Sequence, residues 1–258
     1  MKKFALTLFA AAAICTQTMA QSQVKTLSAS TMKLNVEQLQ NQNQTVQVNR
    51  YLFAGYNTLC LPMSMTSEQL LAAAPGVTVE RMVGIHQDGS VLNLYFVDCT
   101  NEGIQAGVPY LIYSPTSQYL RAKNTESMGV NTELKSIRMS DAEGNLVTFS
   151  SSWEALQKEG RYGIPAQQDV TPLQSVLIRT ENDKMFLPTR CGFSWDQQST
   201  TASELKIQHA VSMGEVTAII GTEKPQVTTD TYYDLSGRKM TTPAKKGIYV
   251  VGGEKVIK

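Results

Sequence analysis

VERMVGIHQDGSVLNLYFV, residues 79–97, joins two runs of β-forming residues through an Asp-Gly pair. Asp-Gly between two such runs is a strong signal for a β-hairpin. With residues 88–89 as a two-residue loop, Ile85 is predicted to pair with Leu92, and Val83 with Leu94. Successive strand residues face opposite sides of a sheet. One face is therefore predicted to be core, and its members are Val83, Ile85, Leu92, Leu94 and Phe96.

The same pattern of short strands and turns recurs along the chain. Strands are predicted at 133–140 and 146–150, at 175–180 and 184–187, and at 109–113 and 211–220; residues 36–49, rich in Gln and Asn, are predicted to form a polar edge strand. Capping-box spacings predict two short helices, one after Thr66 and Gln69 and one after Ser151 and Glu154. Frequent short strands with regular turns predict an all-β fold, an antiparallel β-sandwich-like core with one or two short helices.

The N-terminus has the composition of a secretory signal peptide. Lys2 and Lys3 precede an apolar run at 4–14, and Thr18-Met19-Ala20 places small residues at the cleavage positions. The apolar run is shorter than the ~20 residues that a membrane helix needs. We therefore predict residues 1–20 to be a signal peptide cleaved after Ala20, and the protein to be exported to the periplasm, the outer-membrane surface or the extracellular space.

Charge and composition exclude several classes of partner and chemistry. Without Lys2 and Lys3 the chain has 21 basic and 22 acidic residues, so it lacks the basic surface that nucleic acid requires. No further apolar stretch has membrane length. Spacings typical of zinc sites, phosphate-binding loops and nucleophile elbows are lacking in the sequence. We therefore predict no cofactor, no metal and no catalytic residue.

Three cysteines follow the predicted signal peptide, namely Cys60, Cys99 and Cys191. An odd number leaves at least one thiol unpaired. A Cys60–Cys99 disulfide is compatible with the oxidising compartment of an exported protein. Free cysteines, in contrast, are usually buried as small hydrophobic residues. Both alternatives stay open at the level of sequence.

Aromatic residues provide the candidate ligand-binding positions. Trp195, in the segment 191–196, is predicted to lie in a loop where its ring could stack on a sugar; Tyr113 and Tyr119 are further candidates for ligand stacking. Core packing is the alternative role, because aromatic side chains bury large areas. Trp153, in the second predicted helix, is predicted to be a core residue. His86 and His209 are predicted to be surface or hydrogen-bonded histidines.

One region resembles a module of secreted and surface proteins from Gram-negative anaerobes. The residues that resemble it are YNTLCLP at 56–62, the hairpin at 79–97, and IQAGVPYLI at 104–112. Proteins of that family carry TLCLPF, a hairpin, and AGxPYLI in this order; here Met63 replaces the phenylalanine. The resemblance covers residues 50–115 and implies a β-rich fold and an extracellular location.

The C-terminal segment resembles the short sorting domain of the type IX secretion pathway. YYDLSGRKM at 232–240 and KGIYVVGGEKVIK at 246–258 match that pattern, and the residues that match it are Tyr233, Asp234, Leu235, Gly237, Arg238, Gly247, Ile248 and Tyr249. Two hairpins are predicted there, with turns at 236–238 and 252–254. Residues 231–258 contain six basic and two acidic residues, and the resemblance implies binding to the secretion machinery.

These observations define the domains and the expected function. The predicted organisation is a signal peptide at 1–20, a β-rich core at 21–222, a linker at 223–230 and a sorting-like β-unit at 231–258. The expected function is that of an exported, non-enzymatic surface or adhesion-type interaction protein, with a protein or glycan as partner. A carbohydrate-binding module using the exposed aromatic residues is the alternative, and a hydrolase with no recognisable motif is the second alternative.

Overall fold

Residues 24–40, 45–123, 130–157, 160–164, 177–179, 185–197, 201–210, 212–220, 226–229, 232–233, 239–240, 248–251 and 254–257 are described by a computed structural model of the chain. Helix α1 spans Ser67–Ala73 and helix α2 spans Met213–Ile220. The strands before residue 130 are β1 Lys25–Ser28, β2 Val46–Leu52, β3 Gly55–Leu59, β4 Thr78–Asp88, β5 Val91–Asp98, β6 Tyr110–Ser114 and β7 Gln118–Lys123.

The remaining strands are short and numerous. They are β8 Lys135–Ser140, β9 Asn145–Ser151, β10 Leu156–Gln157, β11 Tyr162–Gly163, β12 Ile178–Arg179, β13 Met185–Phe186, β14 Cys191–Gln197, β15 Glu204–Ala210, β16 Gln226–Thr229, β17 Tyr232–Tyr233, β18 Lys239–Met240, β19 Ile248–Val251 and β20 Glu254–Ile257. The predicted all-β, sandwich-like class is confirmed.

Most strands belong to three sheets that share one apolar core. Sheet A has the order β1-β2-β7, sheet B the order β15-β5-β4-β6-β3, and sheet C the order β12-β11-β14-β9-β8-β16. Pairings are antiparallel except for β1 with β2 and β15 with β5. The prediction of an edge strand at 36–49 is wrong. Residues Val36–Gln40 form a 3-10 helix, and the last four residues of the segment begin β2, which lies in the middle of sheet A.

Three phenylalanines join sheet B to sheet C at the centre of the core. Phe149 and Phe193 form a cross-strand pair, and their rings are stacked at 4.3 Å. Phe96, from sheet B, meets Phe149 edge-on at 5.9 Å. All three side chains are fully buried, so this cluster anchors the two sheets to each other.

The predicted hairpin forms, but its register is shifted by two residues. Its turn is at 89–90 rather than 88–89, so Ile85 pairs with Leu94 instead of Leu92. A shift of two keeps side chains on the predicted faces. A β-bulge between Met82 and Gly84 then reverses the faces. Met82 therefore enters the core, and the prediction for Val83 is wrong.

Val83 instead packs beneath helix α2, which was predicted as a strand at 211–220. Val83, Tyr95, Val97 and Val216 form a small second apolar cluster. The helix begins after Ser212, whose Oγ accepts a hydrogen bond from the backbone N–H of Glu215 at 3.3 Å. This is a capping interaction, and the Ser-x-x-Glu spacing was the available signal for it.

The helix predicted after Thr66 is confirmed, and the helix predicted after Ser151 is absent from the described residues. Thr66 caps α1, and Gln69 returns the bond to the backbone N–H of Thr66. Ser151 instead belongs to β9, where its hydroxyl donates to the carbonyl of Arg190 at 2.8 Å. The residues after it form β10, which pairs with β13. Trp153 is buried as predicted, and its indole donates to the carbonyl of Thr132.

Two other hairpin predictions have different outcomes. β8 and β9 form the predicted hairpin around the turn at 141–144. β12 and β13 were predicted to pair with each other across 181–183. They pair with β11 and β10 respectively, because tertiary contacts determine the partners of such two-residue strands.

The segments 56–62 and 104–112 touch each other. Leu59 pairs with Tyr110 between β3 and β6, and the N–H of Gly107 donates to the carbonyl of Leu61 at 2.8 Å. Gly107 has a positive φ of 75°. Its carbonyl accepts from the N–H of Lys135 at 2.8 Å. The glycine therefore connects sheet B to the entrance of β8.

The C-terminal part extends the architecture in two ways. Residues 226–229, inside the predicted linker, form β16 and pair with β8 at the edge of sheet C, so these four residues are not a free linker. The two predicted hairpins form as β17–β18 and β19–β20 and join through β17–β19 into a four-stranded sheet. Residues 234–238 and 252–253, which contain the predicted turns, lie outside the described residues.

Cys60, Cys99 and Cys191 are all unpaired and buried, so the Cys60–Cys99 disulfide is absent. Cys60 lies closer to Cys191, since both thiols contact the hydroxyl of Ser151. Burial raises the pKa of Cys99 and of Cys191 to about 12. All three therefore remain thiols at neutral pH.

Candidate functional site

The outer face of sheet A is formed by alternate residues of β2 and β7. On β2, residues Val46, Val48, Arg50 and Leu52 are buried, whereas Gln47, Asn49 and Tyr51 are half-buried. On β7, Leu120 and Ala122 are buried, and their neighbours Tyr119, Arg121 and Lys123 are exposed. The two strands therefore present one polar and aromatic surface.

Four side chains on this face form an aromatic platform, defined here as Tyr51, Phe53, Tyr119 and Arg121. Tyr51 and Tyr119 are a cross-strand pair, with ring centroids 5.1 Å apart. Phe53 meets Tyr51 edge-on at 5.2 Å, and the Arg121 guanidinium lies 5.5 Å from the centre of the Tyr119 ring. Tyr119 is 46% exposed, so the platform offers an aromatic surface to a ligand.

Polar groups continue the platform along the same face. Asn49 is paired with Arg121, and Gln47 with Lys123. The Gln47 amide donates to the Asn49 side-chain oxygen at 2.5 Å, which fixes the orientation of both amides. Aromatic surface flanked by amides and cations suits ligands with both apolar faces and hydroxyl groups, and sugars have this chemistry.

Trp195 has a structural role instead. It lies on β14, half-buried against the core, and its indole N–H donates to the side-chain oxygen of Asn145 at 3.0 Å. Asn145 is itself buried and donates to Asp141 at 2.7 Å. Trp195 is therefore held by the β8–β9 turn, and the expectation of a loop position is wrong.

Tyr113 belongs to a separate group on sheet B, the Glu80 cluster, defined as Tyr56, Glu80, Tyr113 and His209. Tyr113 is 38% exposed, and its ring lies 5.2 Å from that of Tyr56. His209 stacks on the other side of Tyr56 at 4.2 Å. The three predicted stacking residues thus lie on three different sheets.

The carboxylate of Glu80 holds this cluster together. Its Oε1 accepts from the Tyr56 hydroxyl at 2.9 Å, and its Oε2 lies 2.7 Å from Nδ1 of His209. Burial, together with the negative charge of Glu80, raises the pKa of Tyr56 well above its usual value. A carboxylate that orients a histidine is part of a general-base arrangement. Sequence reasoning treated His209 as an isolated residue, because nothing local indicates that β15 pairs with β5.

A pocket of about 310 Å³ opens between β4 and the start of α2. Its walls are mainly apolar and include Met82, Val108, Ile137 and Met213. Arg81 and Glu102, which form an ion pair, lie at its edge. Tyr110 also lines it and accepts from the N–H of Gln105 at 3.1 Å.

The residues of the predicted sorting segment are only partly described. Tyr233 lies on β17, and Ile248 and Tyr249 lie on β19. Asp234, Leu235, Gly237, Arg238 and Gly247 lie outside the described residues.

Within the described ranges, no helix is long and apolar enough to cross a membrane. His, Cys, Asp and Glu side chains in the same ranges form no group of three or more that could hold a metal ion.

Comparison with protein-family models, with curated proteins and with solved structures found no match to this chain.

Proposed function

We propose that this chain is an exported, non-enzymatic surface interaction protein that binds glycans through the aromatic platform of sheet A. The observation that supports this is the exposed Tyr119 ring, paired with Tyr51 and flanked by Arg121. Aromatic rings of this kind stack on sugar faces, while the neighbouring amides and guanidinium are suited to hydroxyl groups.

The shape of the platform favours an extended ligand. Its side chains come from two neighbouring strands and the residue that follows β2. The same face runs through Gln47, Asn49 and Tyr51 of β2 to Phe53 just beyond the strand. Alternate strand residues are spaced by roughly 6.5–7 Å, so the row spans about 20 Å on the same spacing. A row of this length matches several sugar units of a polysaccharide better than a single small molecule.

Replacing Tyr119 by alanine is expected to weaken glycan binding by about fivefold or more, because an exposed stacking ring contributes about 1 kcal/mol or more in comparable sites. A glycan array identifies the ligand, and calorimetry with that glycan gives the dissociation constants. Tyr113→Ala is the matched control, since Tyr113 has similar exposure on another sheet. The control should bind like the original protein.

Two results would contradict the platform. Unchanged affinity in Tyr119→Ala together with a loss in Tyr113→Ala would place binding at the Glu80 cluster. An array with no glycan bound above background would remove the glycan proposal altogether.

Hydrolysis is the second candidate function, favoured by the contact between Glu80 and His209. In this role His209 acts as a base that Glu80 orients. Incubation with the glycans from the array, followed by measurement of new reducing ends, tests it. Hydrolysis that is lost in His209→Gln and retained in His86→Gln would favour an enzyme over a binding protein.

We further propose that residues 231–258 act as an export tag. The resemblance to the sorting domain and the basic charge of the segment support this, and so does its separate four-stranded sheet. Deleting 231–258 is expected to leave the melting temperature of the remaining chain within a few degrees and to retain the protein in the periplasm. The deletion begins after β16 because β16 is part of sheet C. Cell fractionation and thermal unfolding measure the two effects.

A truncated chain that still reaches the surface in normal amount would refute the tag. A large loss of stability would also refute it, because the segment would then belong to the core.

A further inference from the structure

The buried face of β2 contains a charge in an otherwise apolar row. Its members are Val46, Val48, Arg50 and Leu52, and each is at most 3% exposed. Arg50 pairs with Leu120 of β7, which is fully buried. A guanidinium is expensive to bury without a partner of opposite charge.

Arg50 has no such partner among the described residues. Its Nη1 donates to the carbonyl of Tyr51, and its buried Nε has no hydrogen-bond acceptor. Its charged neighbour is Arg190, a second arginine for which the described part of the chain provides no ion pair. Arg50 is buried and Arg190 is half-buried, and two neighbouring like charges that are partly shielded from water repel each other unless an anion compensates them.

Thr189, which directly precedes Arg190 in the chain, provides a further unused donor. It is fully buried, and its Oγ1 has no hydrogen-bond partner. Its φ of 67° is unusual for a β-branched residue. The backbone around it is fixed, since the N–H of Cys60 donates to the Thr189 carbonyl at 3.0 Å. A strained, buried residue with an unpaired hydroxyl is typical of a ligand-binding position.

We propose that Arg50, Thr189 and Arg190 bind a small inorganic anion between sheet A and the start of β14. One anion accounts for all three anomalies: it neutralises two guanidinium groups, accepts from Nε of Arg50 and accepts from the hydroxyl of Thr189. Burial and the proximity of Arg190 lower the pKa of Arg50 to about 9, so Arg50 is still charged at neutral pH and requires this compensation.

A tetrahedral oxyanion fits the donors best. Guanidinium groups present parallel N–H donors that match phosphate or sulfate oxygens. Chloride also carries a negative charge, but it is a single atom and does not offer two oxygen atoms to the two parallel N–H donors of a guanidinium group. The expected order of affinity is therefore sulfate or phosphate above chloride.

The test is thermal unfolding of the full chain in a zwitterionic buffer, titrated separately with sulfate, phosphate and chloride. Sulfate or phosphate should give a saturable rise in Tm of about 5–10 °C at a hundredfold excess over Kd. Calorimetry with sulfate should show one site per chain.

Arg50→Met should abolish the saturable rise and the calorimetric signal. Methionine fills a similar volume without charge, and replacing a buried ionic group by an apolar one is often tolerated. Arg138→Gln, which removes an exposed arginine of β8 outside every site described above, is the control and should respond like the original protein. Arg190→Gln is the second test variant should Arg50→Met fail to fold.

Two results would overturn the proposal. In the first, the rise in Tm does not saturate and is equal in the original protein, in Arg138→Gln and in the test variant. Exclusion of sulfate from protein surfaces would produce such a rise. In the second, calorimetry detects no site. A higher affinity for chloride than for sulfate or phosphate would support an anion site at these residues but contradict its assignment to a tetrahedral oxyanion.

Discussion

Gly107→Ala is expected to destabilise the protein by about 3–5 kcal/mol, among the largest effects of a single substitution. A Cβ at this position would lie 2.0 Å from the backbone oxygen of Glu133, and a φ of 75° is itself unfavourable for alanine. The obstacle is backbone, so no side-chain rotation relieves it. Either the entrance to β8 moves or the hydrogen bond from Gly107 to Leu61 is lost.

Gly89→Ala is the matched control for this substitution. Gly89 has a positive φ of 57°, but a Cβ there would meet nothing within 4 Å. Only the conformational penalty remains, about 1–2 kcal/mol. Urea unfolding of both variants measures the difference. Equal losses of stability would mean that the close approach of Gly107 to Glu133 does not exist.

Phe149→Ala is expected to cost about 3–5 kcal/mol of stability, the range for a buried phenylalanine. The substitution removes the ring that lies between Phe193, stacked at 4.3 Å, and Phe96, edge-on at 5.9 Å. A cavity at the junction of sheets B and C cannot collapse easily, because both sheets are held by their own hydrogen bonds. The side chains around the cavity, including Phe96 and Phe193, therefore lose van der Waals contacts.

Thr148→Ala provides the comparison on the opposite face of the same strand. Thr148 is half-buried and its neighbours across the sheet are Arg138 and Ser194. We expect a loss below about 1 kcal/mol, as for most surface substitutions. If the two variants unfold at the same denaturant concentration, Phe149 is not part of the core.

The faces of the central hairpin were predictable from the sequence, and its details were not. Alternation of apolar residues placed Ile85, Leu92, Leu94 and Phe96 in the core, where they are. The two-residue shift was not predictable, because residues 88–89 and residues 89–90 are both acceptable turns. The bulge at Val83 follows from packing beneath α2, a contact between segments more than a hundred residues apart.

The errors in secondary structure have the same physical origin. Ser151 has the spacing of a helix cap, but its hydroxyl and backbone are used by β14. Residues 211–220 contain β-branched residues, yet Ser212 caps a helix whose Val216 finds an apolar site on sheet B. Local propensities are weak, and tertiary contacts override them.

The candidate site could be predicted only in part. Tyr119 was identified because aromatic residues are frequent in binding sites, and its exposure agrees with that role. Its partners Tyr51 and Arg121 depend on the register between β2 and β7, which no local signal fixes. The inward direction of Arg50 was not predicted, because residues 36–49 were interpreted as a polar edge strand. Arg190 was not predicted as its neighbour, because it lies in a distant segment just before β14.

The buried cysteines affect how the protein ages. Thiolate, rather than thiol, reacts with oxidants and disulfides, and Cys99 and Cys191 are both buried and protonated. Cys99 lines the pocket beside β4, whereas a reagent reaches the fully buried Cys191 only during transient opening of the fold. Modification of Cys191 therefore reports this opening. In an oxidising environment the lifetime of the Cys191 thiol is set by opening of the fold more than by the reactivity of the thiol.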